Sequence, residues 1–120
     1  MKNVILLKHP RNWGLDEKIV LTRAHKALKE FGYKNNTELS LVFVGPKKAK
    51  ELNIKYRQKN YIPQVLGFPM NRIADSDGYI RLGDIVICTQ KLKYDEKFLR
   101  KKREIILEEW LRHGVENLLK

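Results

Sequence analysis

Histidine and cysteine are the side chains here best suited to proton transfer, metal ligation or nucleophilic attack, and the chain has three of the first and one of the second. Only His113 stands in a pattern. Ile106, Trp110, His113 and Asn117 follow one another at steps of four, three and four, so on a helix they share a face and His113 points the way Trp110 does. Beside them Leu107, Leu111, Val115 and Leu118 make an apolar stripe. Glu104, Glu108, Arg112 and Glu116 repeat every four residues on a further face, where Glu108 to Arg112 and Arg112 to Glu116 suit pairing in water. This sets His113 at the border of a buried stripe, as a metal ligand, an acid or base, or a packed side chain. His25 lies among Arg23 and Lys26 with no second ligand at helical spacing, as a surface or boundary residue does. His9 precedes Pro10 and reads as a loop residue. Cys88 has no histidine near it in sequence to activate it, so it reads as a buried structural thiol. A lone cysteine also excludes an internal disulfide and a cysteine zinc cage.

The elements that must position these groups alternate. Asn3 to Lys8 reads as a short strand. Asp16 caps a helix running to Phe31, with Val20, Ala24, Ala27, Leu28 and Phe31 on its apolar face and Gly32 as its stop. Glu38 to Val44 is a strand, nearly all apolar from Leu39, as expected where both faces are covered. Gly45-Pro46 opens a helix to about Tyr56, and Val65 to Met70 is extended between Pro63 and Pro69. Asp75-Ser76-Asp77-Gly78 lacks the downstream glutamate of a calcium loop and reads as a turn. Tyr79 to Cys88 is a strand whose run Ile85-Val86-Ile87 is buried enough to be central. From Leu92 onward the chain reads as helix, first basic and then amphipathic from Ile105 to Lys120. The alternation predicts an α/β fold: a single compact domain over residues 1–120, with a small mixed sheet of about four strands packed with helices and a C-terminal helix carrying the His-Gly pair.

Charge narrows the class of partner. The chain carries 25 basic and 14 acidic residues, a formal net charge of +11, and the excess is concentrated in two segments. Gly45 to Asn60 holds six basic residues against one acid, and Lys91 to Arg103 holds seven against two. Such concentration is the electrostatic footprint of a phosphate-backbone partner, although a solvated lysine-rich face has the same composition. Lys8 cuts the N-terminal apolar run Val4 to Leu7, which is too short for a signal peptide's hydrophobic region, and no stretch approaches a membrane span. A cytoplasmic protein without a membrane partner is the expectation.

Leu52-Asn53-Ile54-Lys55-Tyr56-Arg57-Gln58-Lys59, then Val65-Leu66-Gly67-Phe68-Pro69, then Leu82-Gly83-Asp84-Ile85-Val86-Ile87 follow in order, ending at His113-Gly114. Together they resemble the YbeY family of ribosomal-RNA maturation endoribonucleases. The family patterns are L-N-x-x-Y-R-x-K-D, T-D-V-L-S-F-P, G-D-I-V-I and H-G-x-L-H-L-x-G-Y-D-H. The resemblance implies a compact α/β fold, a part in processing ribosomal RNA and assembling the small subunit, and a zinc ion held by three histidines of the last pattern. Carried over residue by residue, the first zinc histidine is His113, the second is replaced by Asn117, and the third falls beyond Lys120. The family's acids fall on Asn60 and Gln64, and its serine on Gly67.

A zinc site needs about three protein ligands and an open position. His113 and Asn117 have the i, i+4 geometry for two, but an amide oxygen is a poor zinc ligand, so the expected zinc is at most weakly held by one chain. Glu109 and Glu116, one turn either side of His113, are the carboxylates at hand. Without zinc, RNA's own 2′-hydroxyl can serve as nucleophile, with His113 as base and Arg57 as a guanidinium clamp on phosphate. Tyr56 and Tyr61 interleave with Lys55, Arg57 and Lys59, a mixture suited to stacking bases and neutralising phosphates, and suited equally to rim packing. Lys97, Arg100 and Arg103 can share one side of a helix as a strip along an RNA backbone. The expected partner is ribosomal RNA or the small ribosomal subunit. The alternative is a non-catalytic factor binding RNA or a ribosomal protein.

Overall fold

In a computed structural model that describes residues 2–120, the alternation resolves into β1 (Val4–Lys8), α1 (Glu17–Glu30), β2 (Thr37–Val44), α2 (Pro46–Arg57), β3 (Val65–Pro69), β4 (Ile80–Cys88), α3 (Thr89–Leu99) and α4 (Arg103–Leu118). One four-stranded mixed sheet has the order β1-β2-β4-β3. β1, β2 and β4 run parallel, and β3 lies antiparallel on the outer side of β4. The α/β fold expected from the sequence is therefore the fold the chain builds.

Local chemistry sets the ends of the elements. The Asp16 carboxylate accepts hydrogen bonds from the Lys18 and Ile19 amides at 2.8 and 3.3 Å, satisfying two of the orphan donors of α1. At its other end Gly32 takes a positive φ of 89°, which lets the Tyr33 amide donate to the Leu28 carbonyl at 2.9 Å and closes the helix. Gly83, with φ of 136°, stands where β4 changes register against β2, and a Cβ there would lie 2.2 Å from the Phe68 carbonyl oxygen. Only glycine fits between these strands.

Burial along β2 alternates strictly, so the strand is sealed on one face rather than both. On the sealed face Leu39, Leu41 and Phe43 pack with Leu82, Ile85 and Ile87 against Val20, Ala24 and Leu28 of α1 and Leu107, Leu111 and Val115 of α4. The other face receives α2 through Leu52 and Tyr56, leaving a recess of about 480 Å³ over Ser40, Val42, Asp84 and Val86. Apolar composition alone does not separate a half-covered strand from a sandwiched one when the open face is also lined by valine.

Two further expectations change. The helix predicted from Leu92 onward begins earlier, at Thr89, and breaks after Leu99, with Arg100 at a φ of 54°. Unbroken, it would crowd the four successive cations Arg100 to Arg103 into about one turn. Arg103 instead opens α4 and turns back, donating to Glu96 at 2.9 and 3.1 Å and to the Gly14 carbonyl at 2.7 Å. Nor is the acidic face of α4 simply solvated. Glu108 is clamped by Arg23 and Lys26 of α1, each at 2.6 Å, while Arg112 reaches Glu30 at 2.8 Å. The sequence of one helix cannot reveal a partner helix carrying the opposite charge.

Candidate functional site

The first candidate surface grows from the C-terminal end of α2. Asn53 is fully buried; its side-chain amide donates to the Tyr61 carbonyl at 3.0 Å and its backbone carbonyl accepts from the Lys59 amide at 3.3 Å. With Gln58 at a φ of 56°, these bonds fold residues 58–64 back beneath the helix end. Gln64 continues the tether, its carbonyl accepting from the Cys88 amide at 3.0 Å and its side chain donating to Asp95 at 2.8 Å. The result is a cleft of about 390 Å³ lined by Arg57, Tyr61, Gln64, Val65 and Lys91, among others. Cations collected at a helix C-terminus also complement its dipole.

Arg57 is exposed and has no ion pair among the described residues, so its guanidinium is not consumed by a structural acid. Lys55 and Lys59 are exposed on the same helix end. Tyr56 and Tyr61 are half exposed, at 53% and 50%, but part company. Tyr61 lines the Arg57 cleft, whereas Tyr56 meets Phe68 edge-on at 5.1 Å over the open sheet face, with the Lys55 ammonium 5.2 Å from its ring. Cys88 is buried, as a structural thiol should be.

His113 is exposed, not set against the buried Trp110. Gly114 holds the position that faces the sheet, and one residue back along the helix the side chain is rotated about 100° away. Asn117 stands over the outer strand: a Cβ on Gly67 would lie 3.3 Å from Asn117 Cβ. Among the described residues no further strand joins the sheet beyond β3, and His113 and Asn117 on α4 are exposed. His113 shares a shallow recess of about 180 Å³ with Glu109, Arg112 and Glu116. Among the described residues no three histidine, cysteine or carboxylate side chains come together to hold a metal ion. Of the positions where the family resemblance implies zinc histidines, 113 holds an imidazole and 117 an amide, a poorer zinc donor.

Arg57 and His113 line separate recesses: the Arg57 cleft reaches β3 through Val65, whereas the His113 recess is lined by α4. Gly67, on the same face of β3 as Val65 and about 7 Å from it, lies against Asn117, one helical turn beyond His113. The strip of Lys97, Arg100 and Arg103 is divided by the bend: Lys97 and Arg100 are exposed, while Arg103 is occupied by Glu96 and Gly14. Two residues of this surface escape a sequence reading. Lys91 reaches the Arg57 cleft only because β4 runs directly into α3, and Asn53 acts through a carbonyl eight residues ahead.

Comparison with known proteins identifies the family. A family model described as Endoribonuclease YbeY matches residues 13–119. An Endoribonuclease YbeY from Thermodesulfovibrio yellowstonii is 38% identical over 96 residues, covering 78% of this chain and 60% of that protein. The Mesoplasma florum relative is 32% identical over 93 residues, 71% of this chain and 53% of that one. The Aquifex aeolicus relative is 33% identical over 118 residues, 98% of this chain and 76% of that one. The chain thus spans little more than half the length of the first two. In three dimensions it resembles the solution structure of TM1509 from Thermotoga maritima, with a TM-score of 0.63 and 19% identity over 97% of this chain and 72% of that one, a likeness of fold. No helix among the described residues is long and apolar enough to cross a membrane. With the family model running through both candidate recesses and the fold shared, this chain belongs to the YbeY endoribonuclease family.

Proposed function

We propose that this chain acts in ribosomal-RNA maturation as a YbeY-type endoribonuclease that grips single-stranded RNA in the cleft beside Arg57. The observation that carries the proposal is a guanidinium without an ion pair among the described residues and an ammonium, Arg57 and Lys91, converging with Tyr61 on one cleft beside the outer strand, which Asn117, one turn on from His113, meets at Gly67. Guanidinium matches phosphate oxygens two at a time, lysine adds a point charge, and a phenol ring offers a face to a base. A strand seated there runs past β3 toward His113.

At His113 the step that needs no donor beyond this chain uses the substrate's own nucleophile. The imidazole takes the proton of a 2′-hydroxyl, the 2′-oxygen bonds to the adjacent phosphorus, and the bond from phosphorus to the 5′-oxygen breaks. The leaving oxygen takes a proton from the imidazolium or from water, giving a 2′,3′-cyclic phosphate and a 5′-hydroxyl. Histidine is the side chain most used for such transfers near neutral pH. A zinc ion would need ligands besides His113 and Asn117. The donor set favours a second reading, a factor that binds ribosomal RNA or a ribosomal protein without cutting.

An end-labelled single strand from the 3′ end of small-subunit ribosomal RNA, incubated with added zinc and with a chelator, tests the proposal. Chelator-resistant cleavage leaving a cyclic phosphate, abolished by His113→Ala at nearly unchanged affinity, is the expected result. Cleavage blocked by the chelator would assign the chemistry to a metal. Binding without cleavage would establish the second reading, and no binding would remove the RNA assignment altogether. If about six phosphates are contacted, binding to single strands should weaken with a log-log salt slope near −4.

A further inference from the structure

Helix α3 holds two aromatic rings in solvent that no packing requirement explains. Tyr94 is 59% exposed and Phe98 71% exposed. They lie one helical turn apart with ring planes 9° from parallel and centroids 5.8 Å apart. The helix meets the core through Thr89 and Leu92 instead. Exposed aromatic surface is costly in water, and a parallel ring pair open to solvent offers faces to flat π-systems.

The charges around the rings are mostly positive, with Asp95 the acid left without a cationic partner among the described residues. The Lys91 ammonium lies 5.9 Å from the Tyr94 ring centroid, and Lys97 and Arg100 are exposed beside Phe98 in sequence with no acidic partner among the described residues. The two acids of α3 are already engaged: Glu96 holds Arg103, and Asp95 accepts from Gln64. Lys91 also lines the Arg57 cleft. The platform and the cleft are therefore one surface joined at Lys91.

We infer that the exposed face of α3 is a stacking platform for single-stranded RNA, continuing the path that begins in the Arg57 cleft. Tyr94 and Phe98 each take a base, and Lys91, Lys97 and Arg100 hold the phosphates between them. The inference rests on the RNA-binding reading of the cleft. A second copy of this chain is a poor occupant, because a chain of net charge +11 would bring like charge onto a cationic frame. An acidic protein would satisfy the cations but gives no reason for two parallel rings.

The test is fluorescence anisotropy with an unstructured RNA of about a dozen nucleotides, comparing the full chain with Tyr94→Ala, Phe98→Ala, Tyr94→Phe and Arg57→Ala. Each alanine variant on the platform should lose on the order of tenfold in affinity with the salt slope unchanged, and Tyr94→Phe should keep its affinity. Arg57→Ala should lose affinity and flatten the slope by about 0.7. Wild-type affinity in both platform variants, alongside a weakened Arg57→Ala, would overturn the platform and leave the cleft standing. No RNA binding by the wild-type chain would overturn both. Loss of self-association in sedimentation, with RNA affinity unchanged, would give the rings to a second copy and overturn the inference.

Discussion

Gly114 of α4 lies so close to Ile85 of β4 that a methyl group at position 114 would stand 2.8 Å from Ile85 Cδ1 and 2.9 Å from its Cγ2. Here the helix backbone rests on the sheet with no side chain between, and His113 is turned outward as a result. The two residues of the His-Gly pair divide the work: one seats the helix, the other is presented to solvent.

Gly114→Ala follows from that contact. Alanine gains up to about 1 kcal/mol over glycine in a helix interior, whereas forcing a methyl into a filled core costs about 1–3 kcal/mol. Ile85 is fully buried and hemmed by the rest of the core, so overpacking wins. Urea unfolding should show a net loss of about 1 kcal/mol or more. A variant more stable than wild type would mean that Ile85 moves aside freely.

Asn53→Ala tests whether the Arg57 cleft is held from beneath. The substitution removes the hydrogen bond to the Tyr61 carbonyl from a fully buried site, a loss of about 1–3 kcal/mol. RNA affinity should fall too, although Asn53 lies too deep to touch RNA, and the loop of residues 58–64 should become more sensitive to protease. A stability loss with affinity intact would show that the loop keeps its shape unaided.

How much of this was legible in the sequence depends on the range of the interaction. Asp16, Gly32 and Pro46 act within their own turns, and their helices start and stop where such residues dictate. The hidden features all depend on a neighbour brought in by folding. Glu108 reads as a solvated acid until α1 supplies Arg23 and Lys26. His113 reads as a border residue because periodicity gives an angle on the helix, not the point where the sheet stops. Lys91 and Asn53 are an ordinary lysine and asparagine until the chain folds back over them.

Glu108→Gln should loosen the contact between α1 and α4 in a pH-dependent way. The Lys26 ammonium, bonded to the carboxylate, holds its pKa below the usual range, helped by Arg23 and Arg112. A depressed carboxylate stabilises the fold above its unfolded pKa and loses that contribution as pH falls through the folded value. The variant should be less stable than wild type by about 1 kcal/mol near neutral pH, since the cationic partners remain partly in water. The gap should close as pH falls below the ordinary carboxylate range and the Glu108 carboxylate takes up its proton. A gap of equal size at both ends would assign the effect to shape and not to charge.

His9 titrates in the opposite sense. Its ring lies flat on Trp13, with centroids 3.7 Å apart and planes at 7°. Its two nitrogens face acceptors, Nε2 the Glu17 carboxylate at 2.5 Å and Nδ1 the Pro10 carbonyl at 2.8 Å. Only the doubly protonated ring can donate to both. Chiefly through Glu17, and then through the Pro10 carbonyl, the imidazole pKa is raised. A raised pKa stabilises the fold fully below the unfolded value of about 6.5 and loses that contribution as pH climbs through the folded value. Urea unfolding followed by tryptophan fluorescence should therefore show His9→Gln weaker than wild type near about pH 6, with the gap closing in alkaline buffer. Glu17→Gln, which removes the largest cause, should bring the loss of stability to lower pH in a chain that keeps His9. Because Arg103 donates to the Gly14 carbonyl in the same loop, loosening that stack should also free the first turn of α4. Faster amide exchange at residues 103–106 in the His9→Gln chain at low pH, absent at high pH, would show that link. Exchange unchanged by pH would confine the stack to the loop.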